Sequence, residues 1–217
     1  ASPIIHVANG FFRLVGNPIS VITEAREWQC WEMEWFQRLH GDAFHIFAEG
    51  ALTVCAEELP GTSLSAHLAA GTLTERMLAA AATELRRAHT TFCPSLNGAW
   101  SHGDPHTGNF LYDPAHNRAR LIDFEVRHSP ELDADSRHAD DLLVFLQDLI
   151  GRASSDRWLP FSLAWVNAYD RLNIRSLLAG RLVRPRGWSR LWWAVRTTYL
   201  TPAELGRRVE QLRAALA

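Results

Sequence analysis

The sequence contains no lysine: all 22 of its basic residues are arginine. Codon bias in a GC-rich genome is enough to produce that composition. Cysteine is scarce as well. Cys30, Cys55 and Cys93 form an odd set without C-x-x-C spacing, which argues against a disulfide framework and for a reducing compartment. No window reaches the eighteen apolar residues of a membrane span, and the opening ASPIIHVANGFF has no basic flank of a secretion signal. A cytoplasmic chain without a transmembrane segment is therefore expected. The net charge of −2 implies no nucleic acid or anionic membrane as partner. The 217 residues suffice for a sizeable core in one domain or two small lobes.

What the sequence does have is concentrated in Ser101–Glu125, SHGDPHTGNFLYDPAHNRARLIDFE. Phe110–Tyr112 and Arg120–Ile122 read as two apolar strands, joined by a turn through Asp113-Pro114-Ala115-His116-Asn117. Such a hairpin brings its two ends together: Asp104 and Asn109 in the Gly/Pro loop before it, Asp123 just after it. One chemistry suits that set. An Asp accepts a proton from an attacking hydroxyl, while an Asn and a second Asp hold magnesium against a nucleotide's phosphates. Mg²⁺ takes oxygen ligands and leaves part of its shell to the substrate. Other readings of the same residues stand beside this one. His102-x-Asp104-x-His106 has the composition of a Zn²⁺ or Fe²⁺ cluster in a metal-dependent hydrolase. Asp104 and Asp113 are common turn formers, and Asp123 could cap a helix.

His102-Gly103-Asp104-Pro105-His106-Thr107-Gly108-Asn109 resembles the H-x-D-x-x-x-x-N catalytic loop of the kinase-like phosphotransferases, and Leu121-Ile122-Asp123-Phe124-Glu125 resembles their D-F-G segment with Glu for Gly. The spelling is similar to the small-molecule branch: aminoglycoside, choline and lipopolysaccharide-sugar kinases. The resemblance implies an α+β, protein-kinase-like bilobal fold. Residues 1–58 would be a small β-rich N-terminal lobe and residues 59–217 a mainly helical lobe bearing the catalytic hairpin. It implies ATP and Mg as cofactors, Asp104 as base, Asn109 and Asp123 as metal ligands, and a hydroxyl of a small molecule or saccharide as acceptor. Backbone groups of Glu57, Glu58 and Leu59 would face the adenine edge. Glu32, in E-x-x-x-F-x-x-L, matches the helix glutamate that pairs with the strand lysine of the family. The position of that lysine falls near Thr23, and Arg26 is the nearest basic substitute. A pseudokinase that binds nucleotide or a protein partner without turnover is the alternative this departure raises. No G-x-G-x-x-G is present either.

Elsewhere, Ile4–Val7, Phe11–Val15 and Ile19–Ile22, separated by Asn9-Gly10 and Gly16-Asn17-Pro18, read as a small antiparallel sheet. Glu24–Leu39 reads as a helix, and Ala43–Ala48 with Leu52–Ala56 as two strands. Thr72-x-x-Glu75 is a capping box for an Ala-rich helix, and Thr201-Pro202-Ala203-Glu204 is another. Asp140-Asp141 opens a helix, where one aspartate either braces the catalytic loop or merely favours the helix dipole. Arg157–Leu172 and Ser189–Tyr199 are Trp- and Arg-rich helical segments, suited to core packing or to lining an acceptor site.

Overall fold

A computed structural model describes residues 3–197 and 200–216, and their fold is α+β. In chain order they form α1 (Pro3–Leu14), β1 (Ile19–Val21), α2 (Ala25–His40), β2 (Ile46–Glu49), β3 (Thr53–Ala56), β4 (Thr62–Ser63), α3 (Leu64–Ala69), α4 (Glu75–Ala88), β5 (Phe92–Cys93) and β6 (Gly98–Ala99). The chain continues with β7 (Phe110–Asp113), β8 (Arg118–Leu121), β9 (Val126–His128), α5 (Ala134–Arg152), α6 (Trp158–Tyr169), α7 (Leu172–Arg181), α8 (Ser189–Arg196) and α9 (Pro202–Leu216). The sheets are small: β2–β3, β5–β6, β1–β9, and the three-stranded order β4-β7-β8.

The expected hairpin is present. Phe110 pairs with Leu121, Tyr112 with Ala119 and Asp113 with Arg118. Asp113 does form the turn, accepting hydrogen bonds from the Ala115 N–H, the His116 ring and Arg120. α2 follows its apolar spacing and buries Trp31, Trp35, Phe36 and Leu39. Trp35 stacks on Trp100 at 4.8 Å, and Trp100 meets Phe124 edge-on at 5.9 Å, so α2 packs directly behind the loop and strand end that carry Asp104 and Asp123.

The β-rich reading of residues 1–58 is corrected. Ile4–Val7 and Phe11–Val15 belong largely to helix α1, and α1 and α2 (12 and 16 residues) outweigh β1, β2 and β3 (3, 4 and 4 residues). Asn9-Gly10 is not a turn. The Asn9 side chain accepts from the Val21 N–H (2.8 Å) and donates to the Val21 carbonyl (2.9 Å), so its amide serves β1 as a strand partner would. The apolar residues of this stretch also recur three or four apart, and that helical period prevailed over their β-branching. β1 itself pairs antiparallel with β9, Ile19 against His128, and not with a neighbouring N-terminal strand.

Two helix starts shift. Thr74, not Thr72, caps α4 by accepting from the Met77 N–H, while Thr72 bonds His67. α5 begins at Ala134, with Asp133 as its cap, and so starts well before Asp140. Asp140 and Asp141 therefore sit inside the helix, and both are buried. In the C-terminal helices Trp158, Trp165 and Trp193 are core residues, with Trp165 stacked on Phe145 at 3.7 Å, whereas Trp188 is exposed. Thr198 and Tyr199, the end of the expected Ser189–Tyr199 segment, lie outside the described residues. No described helix is long and apolar enough to cross a membrane.

Candidate functional site

The His102–Asn109 loop is held from behind by α5. Asp141 accepts from the His102 and Gly103 N–H groups, both at 2.8 Å, and its Oδ2 also faces His89 Nε2 at 2.9 Å. Two helical turns further on, on the same face of α5, Asp148 accepts from the Thr107 N–H (3.1 Å) and the Thr107 hydroxyl. Asp141 thus braces the loop, and its dipole-only reading falls. Asp148 plays the matching part at the other end of the loop. His89 is fully buried, and burial holds its pKa well below the ordinary value. The neutral ring donates from Nε2 to Asp141 and accepts the Tyr169 hydroxyl at Nδ1 (2.7 Å), a tautomer fixed by its neighbours.

Within the loop, Gly103 has φ +86, and a Cβ there would stand 2.8 Å from the Val126 side chain, so only glycine fits. His102 accepts the Asp104 N–H at Nδ1 and faces the Ile122 carbonyl with Nε2 at 3.1 Å. Asn109 donates from its side chain to the Asp104 carbonyl (3.0 Å), and its own carbonyl accepts the Ile122 N–H (3.0 Å). These bonds bring Asp104, Asn109 and Asp123 into one place. Asp123 stands at φ +68, a left-handed conformation uncommon for a non-glycine residue, at the end of the hairpin.

Negative charge accumulates there. Burial raises the Asp123 pKa, the nearby Asp104 charge raises it further, and His106 and then Asn109 oppose both. Burial also lifts Glu125, with Asp123 and Asp104 adding to the effect. Glu32 reaches the same segment from α2. Its Oε2 accepts the Phe124 N–H at 2.9 Å, and burial pushes its pKa to about 7. A buried carboxylate so placed is ionised cheaply only if a cation arrives.

Arg26 does not supply that cation. Six residues along a helix place it about 120° around the axis and about 9 Å away from Glu32, and it is solvent-exposed on the first turn of α2. The guanidinium present is Arg196, at the end of α8, whose Nη2 lies 2.5 Å from Asp104 Oδ1 with the two side chains 14% and 26% exposed. Nothing in the sequence pairs positions 92 apart, which is why Arg196 escaped the sequence reading; the Arg-rich character of 189–199 was its only signal. The expected adenine edge is partly occupied: the Glu57 N–H donates to the His45 carbonyl (2.8 Å), while the Leu59 side chain lies in the core and Glu58 is exposed.

The hydrolase triad does not assemble. Both ring nitrogens of buried His102 face backbone groups, and His106 Nδ1 accepts the Gly108 N–H at 2.9 Å. Among the described residues, no three His, Cys, Asp or Glu side chains are arranged to hold a metal ion. Asp123 and Asn109 remain as two oxygen-bearing groups beside excess negative charge. That donor set fits a hard divalent ion whose shell is completed by substrate oxygens. In comparisons with models of known families and with curated proteins, no match to this chain was found.

Proposed function

We propose that the protein is a kinase-like phosphotransferase that uses ATP and Mg²⁺ to phosphorylate a hydroxyl of a small molecule or saccharide. The convergence of Asp104, Asn109 and Asp123 on a loop whose backbone is fixed by Asp141 carries this reading. In it, residues 1–58 and 59–217 are the two lobes. Mg²⁺, held by Asp123 and Asn109, would supply charge neutralisation for the phosphates. Asp104 orients the acceptor hydroxyl and receives its proton. Asp141 and Asp148 keep the loop in register during transfer, and Glu32 fixes the Phe124 backbone next to Asp123. The segment after Glu125 supports a small acceptor. It forms β9 against β1 and reaches the Asp133 cap of α5 within a few residues, leaving no long platform for a peptide.

A nucleotide-binding protein without turnover is the second reading. Two observations favour it: Glu32 binds a backbone N–H in place of a lysine, and Asp104 is paired with Arg196. Transfer of labelled phosphate from ATP to small alcohols and sugars separates the two. Turnover that falls about 10²–10⁴-fold in Asp104→Asn, the usual size of a general-base contribution, supports the enzyme. No transfer in the wild type, with Mg-ATP still bound, supports the second reading.

A further inference from the structure

An arginine that ends a helix ordinarily lies in solvent, where it favours the helix dipole. Arg196 ends α8 and is instead mostly buried against Asp104, Nη2 to Oδ1 at 2.5 Å. Its guanidinium also lies over the Trp192 ring at 4.6 Å, and Trp192 meets Phe12 of α1 edge-on at 5.6 Å. The helix end is seated on α5. The Thr197 hydroxyl donates to the Trp193 carbonyl (2.6 Å), and a Cβ at Gly151 would stand 3.1 Å from the Arg196 carbonyl. α5 is also the helix whose Asp141 and Asp148 hold the loop, so one element places both the cation and Asp104.

Two features mark this cation for a ligand. The ion pair engages Asp104 Oδ1, and a carboxylate has a second oxygen to take a hydroxyl proton. Arg196 Nε is buried and has no hydrogen-bond partner among the described residues, a costly state that a phosphate oxygen would relieve. Arg127, closer to Asp123 in sequence, is committed elsewhere: it pairs with Glu27 at 2.5 Å and lies over Trp31 at 3.8 Å.

We infer that Arg196 is the catalytic cation of the site, holding the phosphoryl group during transfer. This rests on the phosphotransferase reading. In that step the bond from the acceptor oxygen to the γ-phosphorus forms and the bond from that phosphorus to the β,γ-bridging oxygen breaks. The hydroxyl proton passes to Asp104, and ADP leaves with the electron pair of the broken bond. The reacting atoms start about 3–3.5 Å apart, so a guanidinium already touching Asp104 stands beside the equatorial oxygens of the moving group. A strand lysine serves the α- and β-phosphates of the bound nucleotide. Arg196 comes from the acceptor side, and it therefore favours the transition state without restoring nucleotide affinity.

Mg-ADP with aluminium fluoride mimics the group in transfer, and calorimetry reads Mg-ADP affinity with and without the fluoride. The wild type is expected to bind Mg-ADP about tenfold or more tightly when aluminium fluoride is present. Arg196→Gln is expected to lose that gain while its affinity for Mg-ADP alone stays within about twofold. Arg196→Lys, which keeps the charge, should retain part of the gain. Because Arg196→Gln also strips Asp104 of its partner, the change is repeated on Asp104→Asn, where no carboxylate is left unmatched, and the same loss is expected. A folded Arg196→Gln protein that keeps the gain overturns the inference. So does one that weakens Mg-ADP by the same factor with and without aluminium fluoride, which would make Arg196 a structural residue. Mg-ADP binding without any gain in the wild type overturns the inference and leaves a nucleotide-binding protein. No Mg-ADP binding at all overturns the phosphotransferase reading, and the inference with it.

Discussion

Glu32 shows how one residue records a missing partner. In the proposed fold family this carboxylate faces a lysine; here it accepts the Phe124 N–H, and burial raises its pKa to about 7. An acid whose folded pKa lies above its unfolded value binds more protons when folded, so its contribution falls as pH rises from about 4.5 to about 7. Glu32→Gln keeps an acceptor for Phe124 and removes that penalty. At pH 8 the variant is expected to be more stable than wild type by on the order of 2–3 kcal/mol, with the difference vanishing near pH 4.5. Denaturant melts at the two pH values check this, and a Gln variant less stable at pH 8 would contradict it. Asp104, unlike Glu32, has a side-chain cation as partner, Arg196 at 2.5 Å.

Among the elements, α5 carries the site more than the hairpin does. Asp141 and Asp148 hold the two ends of the His102–Asn109 loop from one face of the same helix. Asp141→Asn leaves a single acceptor oxygen for two backbone N–H groups and His89. The expected cost is about 2–4 kcal/mol, the range for a buried charged acceptor whose partners are left unsatisfied. Amide exchange should quicken at His102 and Gly103 before it does in β7 and β8, and uniform quickening across the loop and hairpin would deny the brace.

The hairpin, α2 and the β2–β3 pair were legible in the sequence because each is specified locally, by alternation, by 3.6-residue spacing or by turn residues. α1 was not, since its β-branched runs and Asn9-Gly10 carry a strand-and-turn signal beside the helical period, and the role of Asn9 is set by Val21, twelve residues away. Asp104, Asn109 and Asp123 could be read from spacing, but Asp148 and Arg196 could not, because their bonds join distant elements.

The molecule as a whole carries buried histidines kept neutral around the site. Burial lowers the pKa of His40 to about 4 and that of His138 to about 3, and holds His89 and His102 low as well. Each must charge on unfolding in mild acid, so their contribution is complete above about pH 6.5 and is lost as pH falls toward 4. For His40 and His138, at about 1.4 kcal/mol per pH unit and group, this loss opposes the gain from the raised carboxyls of Glu32, Asp123 and Glu125, and His89 and His102 act in the same direction as the other two histidines. Stability is expected to fall as pH drops below about 6.5, followed through the fluorescence of the nine tryptophans. Stability that stays flat from pH 7 to pH 4 would contradict it.

The central claim is that Asp104, Asn109 and Asp123 form a phosphotransfer site, and titration of ATP with and without Mg²⁺ tests it most directly. Without a lysine the affinity is expected to be weak, about 10–100-fold below that of a lysine-bearing kinase, the cost of one lost charge-assisted contact. Binding should require Mg²⁺, survive Asp104→Asn nearly intact and disappear in Asp123→Asn. Binding that ignores both the metal and Asp123→Asn, or no binding at millimolar Mg-ATP, would contradict the account.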